Sequence, residues 1–266
     1  MYANQDDRGT AYPYVDPQGS TSSALVWQDD GWAYGANSIY PASSPKISSF
    51  DTLDAIVDYF KNNTAFPNMK EIVISGHSKG AQMAQRYAAL THVDSSSIPV
   101  TFWPANPNSM LWLSTNRPVN NNCAAYDDWN NGLSNYTSAS QTYAQNLVAQ
   151  GYDAVKANFQ SKQIAWLRST QDHGDTSDGC APFAQGANRD ERFLNFIKEF
   201  PPACDSPSGG NCDTVDYVDS SHDASAAIGS PAGLARLFTD NFDGSGKRAY
   251  DFGSRRQDGD NPYPSP

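Results

Sequence analysis

Apolar residues at Leu53, Ile56, Val57 and Phe60 recur at the i, i+3, i+4, i+7 spacing of one helical face, which predicts an amphipathic helix over Ser49 to Phe60. Ser49 stands at the N-cap position, with acids in the first turns. After the breaker Phe66-Pro67-Asn68, the run Glu71-Ile72-Val73-Ile74-Ser75 is β-branched and apolar, ends at Gly76 and gives way to a helix-like stretch from Ala81 to Leu90. A short run that is apolar throughout suits a strand buried on both faces of a parallel sheet. Ile98 to Trp103 reads as the next strand, with room before it for one crossover helix.

Gln163 to Leu167 and Thr214 to Val218 are two further strands, and Ala24 to Gln28 is a shorter apolar run. Thr142 to Phe159 reads as a helix, and Asn188 to Phe200 carries Phe193, Phe196, Ile197 and Phe200 at helical spacing. Ser230-Pro231 opens a last helix through Phe238, with Ser at the N-cap and Pro at the first helical position. Residues 1–23 are polar, rich in Gly, Pro and Ser and without periodicity, so they read as an irregular segment with no strand. Strand and helix in alternation predict an α/β domain over 1–266, with a mostly parallel twisted sheet and helices on both faces. Residues 104–162 interrupt the alternation and are expected to be an insertion over the carboxyl edge of the sheet, and 240–266 a tail.

Charge narrows the partners. Among the 266 residues, 18 Lys plus Arg face 29 Asp plus Glu, a net charge of −11. A polyanion such as nucleic acid is repelled by such a surface, and so is an anionic membrane. No run approaches the roughly 20 apolar residues of a membrane span. A hydrophobic fraction of 38% with 12% aromatic residues describes a loop-rich globule with an aromatic core, expected to be a monomer.

Cys123, Cys180, Cys204 and Cys212 fall in polar, turn-rich stretches without the close paired spacing of a zinc site. Cys204 with Cys212 is the easiest disulfide, because the intervening chain contains the turn-forming Ser-Pro-Ser-Gly-Gly, and it leaves Cys123 with Cys180. Two sequons, Asn62-Asn63-Thr64 and Asn135-Tyr136-Thr137, agree with an oxidising, extracellular home, although the N-terminus shows no signal peptide.

The sharpest local signal is Gly76-His77-Ser78-Lys79-Gly80, a G-x-S-x-G motif between a predicted strand and a predicted helix. Glycines on either side let strand and helix approach closely, while the turn lifts the Ser hydroxyl clear of the sheet next to the helix N-terminus. A Ser hydroxyl needs a base to take its proton and an acid to orient that base. His222, four residues past the strand ending at Val218, is the candidate base. Asp172, Asp175 and Asp178 follow the strand ending at Leu167, with Asp172 favoured as nearest the strand end and Asp175 second. His92 lies too close to the elbow to have an acid before it, and His173 is a neighbour of Asp172 rather than the base.

Trp103, Trp112, Tyr126 and Trp129 read either as packing or as a substrate-binding wall. Asp127 and Asp128 read as a solvated face. Asp240 with Asp243-Gly244-Ser245-Gly246 lacks the order of a calcium loop and reads as a solvated loop. No motif points to a nucleotide, redox cofactor or metal.

With these residues in place, the chain resembles the α/β-hydrolase superfamily, and more narrowly a group of secreted fungal α/β-hydrolases. The resemblance spans residues 24–240 and is carried by Tyr40-Pro41, Ser48 to Asp54, Phe66-Pro67-Asn68 and IVISGHSKGAQMAQRYAAL. It continues in Asn106 to Ser109, Tyr126 to Trp129, Gln185-Gly186 with Arg189 and Arg192, and the His222 loop with Ser230 to Leu234. It implies a lipase-like serine esterase with Ser78 as nucleophile, His222 as base, Asp172 as acid and the Lys79 N–H as an oxyanion donor. A second oxyanion donor comes from an early loop in such enzymes, and here Tyr2 and Ala3 are the candidates. Strands that such hydrolases place before the elbow are hard to find in residues 1–77, so the chain is expected to be truncated at its N-terminus. The competing expectation is a catalytically silent binding protein that keeps the fold.

Overall fold

Side chains alternate between the two faces of a strand, and here that alternation assigns each helix to one side of the sheet. The computed structural model describes residues 2–4, 25–40, 46–174, 179–202 and 213–240. Asp175, Asp178, Cys204, Cys212 and the Asp243 loop lie outside them. Strands β3 (Ile72–His77), β4 (Val100–Ala105), β5 (Gln163–Ser169) and β6 (Thr214–Val218) form one fully parallel sheet in the order β3-β4-β5-β6.

Val100 and Phe102 of β4, Ile164 and Trp166 of β5, and Val215 and Tyr217 of β6 point into the larger core. There they meet α1 (Ser49–Phe60), α2 (Lys79–Leu90), α4 (Tyr152–Gln160) and α6 (Arg189–Glu199) through Phe50, Tyr87, Phe159 and Phe196. The intervening residues Trp103, Ala105, Ala165 and Leu167 face the other side and pack on Ala227 and Leu237. Those two belong to α7 (Ala224–Gly229) and to a π-helical turn, Ala235–Thr239, which continues α8 (Pro231–Leu234). The α/β class with helices on both faces is therefore as expected.

Several boundaries differ for local reasons. The cap of α1 is Ser48, not Ser49: its hydroxyl accepts from the Phe50 N–H, and the Asp51 carboxylate accepts the Ser48 N–H in a reciprocal capping box. The helix expected over 142–159 is two helices, α3 (Gln145–Val148) and α4, because Gly151 turns at φ +86° between them. Residues 1–23 do contain a strand: β1 (Tyr2–Asn4) pairs in parallel with β2 (Leu25–Trp27), and three residues are too few to show periodicity. Helix α7 also went unseen; Asp223 caps it by accepting from the Ala226 N–H.

The stretch after β4 is built into the main core. Met110 to Leu113 are fully buried, and two buried glutamines stand in for missing strand neighbours. Gln85 accepts from the Leu111 N–H and donates to its carbonyl, and Gln185 does the same for Met110. Asp127 is not a solvated acid. Its carboxylate accepts from Arg117, Ser134 and Tyr152, which ties the stretch together and, after burial, helps push the Tyr152 phenol up to about 12.

A disulfide joins Cys123 to Cys180 across 57 residues of sequence and anchors this stretch to α5 (Cys180–Phe183). Closing a loop of that length restricts the unfolded chain by about 4 kcal/mol in the chain-entropy treatment. Replacing both cysteines by Ser is expected to lower unfolding free energy by about 2 to 4 kcal/mol, read from denaturant midpoints in the absence of reductant.

Candidate active site

Strand β3 ends in an elbow. Ser78 sits at φ 58° and ψ −116°, a conformation that costs a non-glycine residue about 1 to 3 kcal/mol and persists only where its surroundings impose it. Two features impose it here. The Ser78 N–H donates to the Ala105 carbonyl at 2.9 Å, tying the turn to the end of β4. At Gly76 an added Cβ would lie 2.1 Å from the Gly80 carbonyl oxygen and 2.7 Å from the Ala81 nitrogen, so only glycine allows α2 to start so close to the strand. The second glycine of the motif is a correction: a Cβ at Gly80 would meet open space, and no close approach requires it.

The loops after β5 and β6 run side by side. The Thr170 N–H donates to the Val218 carbonyl and the Gln171 N–H to the Ser220 carbonyl at 3.0 Å, extending the ladder beyond both strands. That extension brings Asp172 against His222. His222 Nδ1 lies 2.7 Å from Asp172 Oδ2, and His222 Nε2 lies 2.9 Å from Ser78 Oγ. In the tautomer this requires, Nδ1–H donates to the carboxylate and Nε2 accepts the serine proton. Three residues far apart in sequence thus form one hydrogen-bonded chain, in which Ser78 and His222 are partly open to solvent and Asp172 is buried.

Burial alone would push the Asp172 carboxyl up, but Arg168, the His222 hydrogen bond and charge, and Arg189 outweigh it and hold it below the ordinary carboxylate value. Asp172 therefore stays ionised wherever a neutral imidazole can act as base. Arg168 Nη1 and Arg189 Nη1 each lie 3.0 Å from one of its oxygens. Arg168 also pairs with Asp190, which accepts from His173 at 2.7 Å. His173 is thus held on Asp190. His92 is exposed and 3.9 Å from Asp54.

Below the imidazole, His77 places its ring 4.5 Å from that of His222, tilted by 40°. Asn106, at φ 53°, donates its amide to His77 Nε2 at 3.2 Å and to Ser169 Oγ at 2.8 Å. A donor aimed at Nε2 needs that nitrogen unprotonated, in line with the downward push on His77 from burial and then from the charge of His222. The sequence pattern assigns no role to Arg168, Asn106 or His77. The available signal was polar residues standing at the ends of otherwise apolar strands, where parallel sheets present their functional edge.

Lys79 follows Ser78 and opens α2. Its backbone N–H is among the first donors of α2, which have no acceptor within the helix and carry the positive end of its dipole. Its side chain does not extend freely into solvent: Nζ donates to Tyr34 Oη at 3.0 Å and pairs with Asp30 at 2.9 Å. Burial lowers the Lys79 pKa, and those two partners more than reverse it. The 3₁₀ helix Asp29–Tyr34 is thereby fastened beside the elbow. Tyr2 and Ala3 lie in β1, opposite Leu25 and Val26, so the free loop expected there is a paired strand.

The four aromatics are in packing positions. Trp103 is 1% exposed in the smaller core, and Trp112 is 1% exposed with its ring edge-on to Phe196 and Phe200, so neither forms a substrate wall. Trp129 donates Nε1–H to the Tyr34 carbonyl at 3.0 Å and meets Tyr136 edge-on, and the Arg117 guanidinium lies 5.1 Å from the Tyr126 ring centre. Among the described residues, no group of acids, histidines and cysteines could hold a metal ion, and no helix is long and apolar enough to cross a membrane.

A parallel sheet crossed by helices on both faces, with Ser78 on a strained strand-to-helix turn, is an α/β-hydrolase-like architecture. No protein-family model matches the chain, and neither does a curated protein. Among solved structures, a poly(3-hydroxybutyrate) depolymerase, LpqC, from Bordetella parapertussis matches with a TM-score of 0.45 and 16% identity over 71% of this chain. The match spans 61% of that protein's length.

Proposed function

We propose that the protein is a serine hydrolase of carboxylic esters that works through an acyl-enzyme. The observation that supports this most directly is the unbroken chain from Ser78 Oγ to His222 Nε2 at 2.9 Å and from His222 Nδ1 to Asp172 Oδ2 at 2.7 Å. Ser78 attacks the ester carbonyl as His222 takes its proton; the imidazolium, held by Asp172, then protonates the leaving alcohol. Water, deprotonated by His222, releases the acid and restores Ser78. The Lys79 N–H supports the oxyanion from the N-terminus of α2, where the helix dipole favours negative charge.

We place this activity outside the cell. The Cys123 to Cys180 disulfide and the exposure of Asn62 and Asn135 in their sequons support that setting. The decisive experiment is intact-mass labelling with a fluorophosphonate, which needs an activated serine and no knowledge of the substrate. One adduct is expected on the wild type and none on Ser78→Ala, with p-nitrophenyl ester hydrolysis lost in parallel. Absence of an adduct on folded wild type would overturn the proposal in favour of a silent binding protein.

A further inference from the structure

The carboxylate beside His222 is held from every side. Asp172 Oδ2 accepts from His222 Nδ1 and from Arg168 Nη1, Oδ1 accepts from Arg189 Nη1, and its backbone carbonyl accepts from Arg168 Nη2. The two arginines are not equivalent. Arg168 shares its charge with a second acid, Asp190. Arg189 places Nε on the neutral amide oxygen of Asn108 at 3.1 Å, and among the described residues Asp172 is its only carboxylate partner. The chain also makes room for it: at Gly174, φ +71°, an added Cβ would lie 2.4 Å from Arg189 Cγ.

A lone carboxylate against an imidazole favours the imidazolium, and an imidazolium cannot accept the serine proton. A cation on the far oxygen opposes that bias and also fixes the plane of the carboxylate. Other charges near His222 are Arg168 on β5, Asp190 on α6 with His173 on it, His77 on β3 and Asp223 on its own loop. Lys79 of α2 is turned toward Asp30 and Tyr34. Of the two arginines on Asp172, Arg189 is the one whose removal takes a cation from that carboxylate without stranding a second acid.

We propose that Arg189 is a positioning residue that orients Asp172 and uses its charge to keep His222 available as a base. This rests on the reading of Ser78, His222 and Asp172 given above. The test compares Arg189→Gln and Arg189→Lys in the full chain, with labelling rate followed against pH and the His222 imidazole followed by NMR. In Arg189→Gln both transitions are expected to move to higher pH by about 0.5 to 1 unit, the sign set by loss of a cation. Arg189→Lys is expected to keep the wild-type midpoint with a few-fold lower plateau, because it retains charge and loses the forked geometry.

A purely structural role would lower the melting temperature and plateau of both variants and leave the midpoints in place, and that result overturns the proposal. Equal midpoint shifts in the Gln and Lys variants would overturn it too, since charge would not be the cause. Failure of the parent reading is separable: a wild type that takes no label still yields an NMR transition, on which Arg189→Gln is judged directly.

Discussion

His222→Ala is expected to lower kcat by about 10⁴ to 10⁶ while leaving KM within a few-fold, because the loss removes proton transfer in the transition state and not ground-state contacts. Stability should change by less than about 1 kcal/mol, as befits a partly exposed side chain with no place in either core. Asp172→Asn makes the informative contrast. It too disorients the imidazole, but it also leaves Arg168 and Arg189 facing a neutral amide in a buried position. Removing one partner from a buried ion pair costs about 3 to 5 kcal/mol, so this variant should lose both rate and melting temperature. Steady-state kinetics on an activated ester with denaturant unfolding in parallel separates the two cases. Equal stability losses in both variants would mean that His222 supports the fold, against the geometry described.

What the sequence disclosed and what it withheld follow from the range of the interactions. The strands β3 to β5 announce themselves as short β-branched and aromatic runs, β4 and β5 buried on both faces and β3 partly buried at the edge of the described sheet, while β6 is read from Val215, Tyr217 and Val218 around a buried Asp216. The order Ser78, Asp172, His222 was legible because the elbow motif is local and the other two stand just past strand ends. The Cys123 to Cys180 pairing was reached by elimination and is present. By contrast, β1 depends on a partner over twenty residues away, and three residues carry no pattern. Trp103 and Trp112 read equally as packing or as a substrate wall because aromatics at and beyond a strand end fit a pocket as well as a core, and only packing against Ala227 or Phe196 decides. The arginines on Asp172 come from β5 and α6, and nothing in the local sequence of either ties it to that carboxylate.

The second face of the sheet depends on a buried charge cluster, and breaking it should cost as much stability as breaking the pairs on Asp172. Arg236, in the π-helical turn after α8, forks onto both oxygens of Asp216 in β6 at 2.8 and 3.0 Å. It also reaches Asp240 at 2.8 Å, and the Arg236 and Asp216 side chains are 0% exposed. Burial lowers the Arg236 pKa, but the bonds and charges of Asp216 and Asp240 more than reverse it, so the guanidinium stays charged. In Asp216→Leu that cation faces a leucine where its fork was matched, at a cost of about 3 to 5 kcal/mol. Since β6 carries the loop with His222, labelling of Ser78 should fail at a lower temperature in the same variant. The double variant Asp216→Leu with Arg236→Met should recover part of the loss, because it removes the mismatched guanidinium while taking from Asp240 its Arg236 partner. Additive losses in that cycle would show that the pair matters for its packing volume and not for its charge.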